Sequence, residues 1–148
     1  MTDTYPEILL AEDDPNDVEL TLEALAGHNL ANRVVVAHDG VEVMDYLRCE
    51  NAFAGRPQRL PAVMLLDIKM PRKDGLEVLR EIRSDSTLRR LPVVMLTSSR
   101  EEQDIVASYD LGANAYVVKP VDFQEFMHAV EQLGVFWALL NERPPEED

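Results

Sequence analysis

Short apolar runs alternate with amphipathic stretches along most of the chain. Ile8–Ala11, Val34–Ala37, Ala62–Leu66, Val93–Leu96 and Ala115–Val118 are rich in Val, Leu and Ala. Their apolar residues are continuous rather than alternating, the pattern of strands covered on both faces. Between them, apolar residues recur at helical spacing: Val43, Met44 and Leu47 in one stretch, Leu76, Leu79 and Ile82 in the next. Five strands separated by helices predict a doubly wound α/β fold, a five-stranded parallel sheet with helices on both faces.

Polar punctuation places the helix ends. Asp14-Pro15-Asn16-Asp17 combines an N-cap, a proline at the first helical position and an early acid, so a first helix runs from there to about Gly27. Gly40 opens a helix ending at Arg48, and Asp74-Gly75 opens a third. Ser98-Ser99 with Glu101-Glu102 starts a fourth, which Leu111-Gly112 ends. The fifth begins near Asp122, and Phe123, Phe126, Met127, Val130, Leu133, Trp137 and Leu140 mark one face of it. The chain divides into a lead (1–6), one domain (7–141) with an extended last helix, and an acidic tail (142–148) expected to be disordered.

The 148 residues suffice for one buried core. With 28 acidic against 14 basic side chains the formal charge is -14, which opposes contact with phosphate backbones. No DNA partner is expected. No stretch resembles a secretion signal or a membrane span, so a cytoplasmic protein without membrane contact is expected. The single cysteine, Cys49, has no Cys or His at ligand spacing and reads as structural.

The ends of three strands carry the chemistry. Glu12-Asp13-Asp14 follows the first, Asp67 the third and Lys119 the fifth. A parallel sheet puts these ends on one edge, so acids and lysine should meet. Asp14 reads as a helix cap, which leaves Glu12, Asp13 and Asp67 for a pocket. Carboxylates that close repel by as much as ~4 kcal/mol per pair, so a cation is needed. Hard oxygen ligands beside open solvent suit Mg2+. An aspartate beside Mg2+ and a lysine can act as a phosphoryl acceptor, with Asp67 attacking phosphorus while Lys119 and Thr97 bind the transferred oxygens. A cis Lys119-Pro120 bond would aim the lysine inward, and ~5% of such bonds are cis.

The motifs Ile8-Leu9-Leu10-Ala11-Glu12-Asp13-Asp14, Leu65-Leu66-Asp67-Ile68-Lys69-Met70-Pro71 with Asp74-Gly75, Leu96-Thr97-Ser98 and Gly112-Ala113-Asn114-Ala115-Tyr116-Val117-Val118-Lys119-Pro120 closely resemble the receiver domain of two-component response regulators. The resemblance runs from Ile8 to about Leu140. It implies a flavodoxin-like fold and a switch, not an enzyme, in which a sensor histidine kinase phosphorylates Asp67 and only phosphoryl transfer and dephosphorylation are self-catalysed. It implies Mg2+ held by Asp13, Asp67 and the backbone carbonyl of Lys69, with Glu12 reaching the ion through water. Thr97 and Tyr116 correspond to the switch pair, and Asn16, Asp17, Leu20, Pro120 and Val121 to the kinase-docking surface. Within that family the chain resembles stand-alone regulators paired with phytochrome-type kinases, through the long connection from Glu50 to Pro61, the run Met70 to Gly75, Ser108 to Asn114, Lys119 to Phe123 and the aromatic last helix. Output would then pass through protein contacts or phosphoryl relay.

Lys69 departs from the shorter polar residue common at its position in receivers. Its ammonium either hinders the hydrolytic water or points into solvent. A phosphatase or phosphotransferase of the haloacid-dehalogenase type is the alternative, but such enzymes place a second aspartate where Lys69 stands. Val135, Phe136 and Leu139 lie off the apolar stripe of the last helix, which predicts a homodimer built on that helix.

Overall fold

The computed structural model describes residues 7–27, 30–108, 110–113 and 115–135. Strands β1 (Ile8–Ala11), β2 (Val34–Ala37), β3 (Val63–Asp67), β4 (Val93–Thr97) and β5 (Ala115–Val118) alternate with helices α1 (Pro15–Ala26), α2 (Gly40–Arg48), α3 (Gly75–Ser84), α4 (Arg100–Ser108) and α5 (Phe123–Leu133). All neighbouring strands are parallel, in the order β2-β1-β3-β4-β5. The doubly wound parallel sheet expected from the apolar pattern is the one observed, with the flavodoxin-like arrangement that the family resemblance implies.

The unbroken apolar runs are explained by burial on both faces. Leu9, Ala11, Met64, Leu66, Val93 and Met95 pack against α2, α3 and Val106 of α4. Their strand neighbours Ile8, Leu10, Val63, Leu65, Val94 and Leu96 pack against Leu25 of α1 and Phe126, Met127, Ala129 and Val130 of α5. Successive strand residues point to opposite faces, so every position in β1 and β3 must be buried.

Four element ends differ from those the pattern predicts. β3 and β4 each run one residue further, through Asp67 and Thr97, because Asp67 stays in register with Leu96 and Thr97 with Val118. Helix α4 stops at Ser108, short of Leu111-Gly112. Arg83 ties the following segment down by donating to the Gly112 carbonyl at 3.0 Å, and Gly112 has φ +87. Helix α5 ends at Leu133, where Gly134 adopts φ 77 and the Val135 N–H donates back to the Val130 carbonyl at 3.1 Å. Trp137 and Leu140, the last positions of the expected stripe, lie outside the described residues. No helix among the described residues is long and apolar enough to cross a membrane.

Candidate functional site

Four strand ends and two helix starts build the pocket. The Asp14 side chain caps α1, accepting from the Asn16 N–H at 2.8 Å, so Asp14 serves the helix rather than the pocket. Asp74 and Glu77 close a reciprocal capping box at the start of α3, with both bonds at 2.9 Å. Gly75 lets that helix start lie against the end of β3: its N–H donates to the Ile68 carbonyl at 2.7 Å. A Cβ there would stand 2.8 Å from Ile68 Cα and closer still to the Asp67 carbonyl oxygen. The loop between is held from the side by an Arg72–Asp39 ion pair at 3.1 Å and by Gly40 packed on the Lys73 backbone. Sequence patterning identifies Asp74-Gly75 as a helix start; the close approach to Asp67 is visible only in three dimensions.

Glu12, Asp13 and Asp67 come together as expected, each offering an oxygen within 4.8 Å of the others. Glu12 is fully buried and Asp67 nearly so, whereas Asp13 is exposed. Burial, reinforced by the Asp67 charge, pushes the Glu12 carboxyl up from 4.5 to about 7. Burial likewise raises the Asp67 carboxyl, an effect that Lys119 offsets only in part.

Lys119 reaches three carboxylates at once: its Nζ lies 3.0 Å from Asp17 Oδ2, 3.2 Å from Asp67 Oδ1 and 3.4 Å from Glu12 Oε1. Burial disfavours the ammonium, but the Asp17 hydrogen bond and the Asp67 and Glu12 charges outweigh it, and the Lys119 pKa is raised. The Lys119-Pro120 bond is cis. Thr97 is fully buried and, among the described residues, its Oγ1 has no hydrogen-bond partner.

A closed set of hard carboxylate oxygens beside open solvent, carrying more negative charge than one lysine neutralises, fits Mg2+. Some expected residues stand apart from this pocket. Tyr116 is half-buried on β5, where burial and Asp110 raise its pKa. The Lys69 side chain is exposed, and its Nζ lies 3.9 Å from Glu102 Oε2, the carboxylate whose Oε1 accepts from the Ser98 N–H at the start of α4.

The expected docking surface is divided. Asn16, Leu20 and Pro120 are exposed. Val121 is not, being 6% exposed and packed in the core beside α5, which corrects its placement on a partner surface. Asp17 commits its carboxylate to Lys119. Of the expected dimer residues, Val135 is partly buried against the α5 side of the core. Phe136 and Leu139 lie outside the described residues.

The response regulator receiver domain family matches residues 8–131, and the chain belongs to that family. It is 58% identical to the bacteriophytochrome response regulator AtBRR, which superposes with a TM-score of 0.88 over 95% of this chain and 100% of that one. The phosphorylated cyanobacterial phytochrome response regulator RcpA is 41% identical, with a TM-score of 0.70 over 93% of this chain and 95% of that one. Response regulator Rcp1 of Synechocystis sp. (strain ATCC 27184 / PCC 6803 / Kazusa) is 36% identical over 130 residues, 88% of this chain and 87% of that one. The Mn(2+)-bound form of Rcp1 superposes with a TM-score of 0.68 at 32% identity, over 94% of this chain and 98% of that one. The protein is thus a receiver-domain response regulator related to those of phytochromes, and a receiver domain takes a histidine kinase as its partner.

Proposed function

We propose that Asp67 accepts a phosphoryl group from the histidine of a sensor kinase of the phytochrome type. The observation that carries this reading is the Thr97 hydroxyl, fully buried, unpartnered and one residue beyond the strand position paired with Asp67. A buried hydroxyl without a partner costs ~1–3 kcal/mol, a cost that an incoming phosphoryl oxygen removes. A carboxylate oxygen of Asp67 forms the new bond to phosphorus as the donor's P–N bond breaks. Lys119 and Thr97 then hold phosphoryl oxygens, and the shift of Thr97 toward the group opens space into which Tyr116 turns. Asp13, Asp67 and the Lys69 carbonyl would hold Mg2+, with Glu12 acting through water. When bound, Mg2+ offsets the charge of the carboxylates and the phosphoryl oxygens.

The test is intact-protein mass after incubation with a small phosphoryl donor, with and without Mg2+. A Mg2+-dependent gain of one phosphoryl group in wild type, absent in Asp67→Ala, is expected. Modification that persists in Asp67→Ala would overturn the assignment. The phosphoryl group is lost by self-catalysed hydrolysis, and Lys69, whose Nζ rests 3.9 Å from Glu102 Oε2, slows it by turning to the pocket mouth once phosphoryl oxygens attract it. Lys69→Asn is therefore expected to dephosphorylate faster, by roughly threefold, less than 1 kcal/mol of barrier. An unchanged decay of the phosphorylated mass would remove Lys69 from the mechanism.

The chain acts as a stand-alone cytoplasmic switch that signals through protein contacts or passes the phosphoryl group on, without binding DNA. Asn16, Leu20 and Pro120 form the accessible part of its kinase-docking surface. It pairs as a homodimer through the apolar residues that follow α5. Val135, only partly buried against the core, contributes its remaining surface, and Phe136 and Leu139 complete the set on which this pairing rests. Phe136→Asp is expected to give a soluble monomer of half the wild-type mass in sedimentation equilibrium, and an unchanged mass would exclude Phe136 from the contact.

A further inference from the structure

The shortest of the three ion pairs made by Lys119 is not with the residue it is there to serve. Its Nζ is 3.0 Å from Asp17 Oδ2 and 3.2 Å from Asp67 Oδ1. Asp17 stands in the first turn of α1, 102 positions away in sequence, and Asp14 already caps that helix. Its contact with Lys119 is therefore separable from the capping of α1. Asp17 is also outside the group of Glu12, Asp13 and Asp67 that can share a cation. Neutralising that group leaves Asp17 as the one unneutralised carboxylate on Lys119. The pull on the ammonium is then toward α1 and away from the end of β3.

We propose that Asp17 is a positioning residue that competes with the phosphoryl group for the Lys119 ammonium and so limits how firmly the phosphorylated pocket is held. The inference rests on the assignment of Asp67 as the phosphoryl acceptor. Adding a phosphoryl group to Asp67 brings oxygens within reach of Lys119, which must give up part of its hold on Asp17 to donate to them. A weaker hold on Lys119 in the resting state thus means a stronger one in the phosphorylated state.

Beryllofluoride, a phosphoryl mimic, tests this by titration calorimetry with Mg2+ on wild type, Asp17→Asn and Asp17→Glu. Asp17→Asn is expected to bind roughly three- to fivefold more tightly, the size of one partly exposed ion pair, and to lose its phosphoryl group more slowly by a similar factor. Asp17→Glu, which keeps the charge, is expected to stay near wild type. A fold defect could only weaken binding, so a gain cannot arise from damage to α1. Wild-type binding with unchanged or weaker binding by Asp17→Asn would overturn the role of Asp17 alone. Failure of wild type to bind the mimic or to accept a phosphoryl group would overturn the Asp67 assignment, and this inference with it.

Discussion

Asp67→Asn is expected to stabilise the metal-free protein by ~1 kcal/mol at pH 7.5 while removing its response to Mg2+. The reason lies in Glu12, whose carboxyl is pushed up from 4.5 to about 7 by burial and then by the Asp67 charge. A carboxyl raised on folding contributes stability that is complete below its unfolded value and is lost as pH rises through its folded value. Wild type in metal-free buffer should accordingly lose on the order of 3 kcal/mol between about pH 4.5 and pH 7. Asp67→Asn takes away the charge nearest Glu12, and Lys119 keeps Glu12 and Asp17 as partners. The loss over that pH range should then be smaller. Mg2+ at about a hundred times its dissociation constant restores ~2.7 kcal/mol to wild type by binding only the folded state. Urea unfolding of both proteins from pH 4 to 8, with and without Mg2+, measures all three effects. An Asp67→Asn protein less stable than wild type at pH 7.5 would mean that Asp67 is held by Lys119 more strongly than it is repelled by Glu12.

The sheet and the heart of the site are legible in the chain because each is written locally. Continuous apolar runs mark strands buried on both faces, and a charged residue directly after such a run lies at the sheet edge by topology alone. That suffices to bring Glu12, Asp67 and Lys119 together. Helix starts are equally local: Asp14, Asp74 and Asp122 each satisfy the N–H groups a few residues on.

What the sequence does not reveal is set by distance and by backbone conformation. Helical spacing counts residues and is blind to φ, so the stripe from Phe123 to Leu140 runs straight through Gly134, where the backbone turns left-handed and α5 ends. Val135 then packs in part against the core. Val121 sits in a loop, where no periodicity signals burial, yet it is packed beside α5. The Asp17 carboxylate looks like an ordinary first-turn acid, and only the folded sheet shows that it faces Lys119. These omissions are long-range contacts or single-residue conformations, neither of which a local pattern encodes.

Gly75 is the sharpest of these cases, and Gly75→Ala is expected to destabilise the protein by about 3 kcal/mol, the upper end for overpacking at a rigid site. A Cβ at this position meets backbone rather than a flexible side chain: Ile68 Cα at 2.8 Å, with the Asp67 carbonyl oxygen nearer still. Relief requires moving either the start of α3 or the end of β3. The second choice pulls Asp67 out of register with Leu96 and away from Lys119. The first breaks the Gly75 N–H bond to the Ile68 carbonyl. Either response degrades the pocket, so the Mg2+-linked gain in stability should fall along with the unfolding midpoint in urea. Gly27→Ala is the control, since among the described residues no atom beyond its chain neighbours lies within 4 Å of a Cβ there and its φ of -64 suits alanine. That substitution should be neutral or stabilising by ~0.5 kcal/mol through reduced freedom of the unfolded chain. If the two variants unfold at the same urea concentration, the packing of α3 on Asp67 is not what holds the acceptor in place.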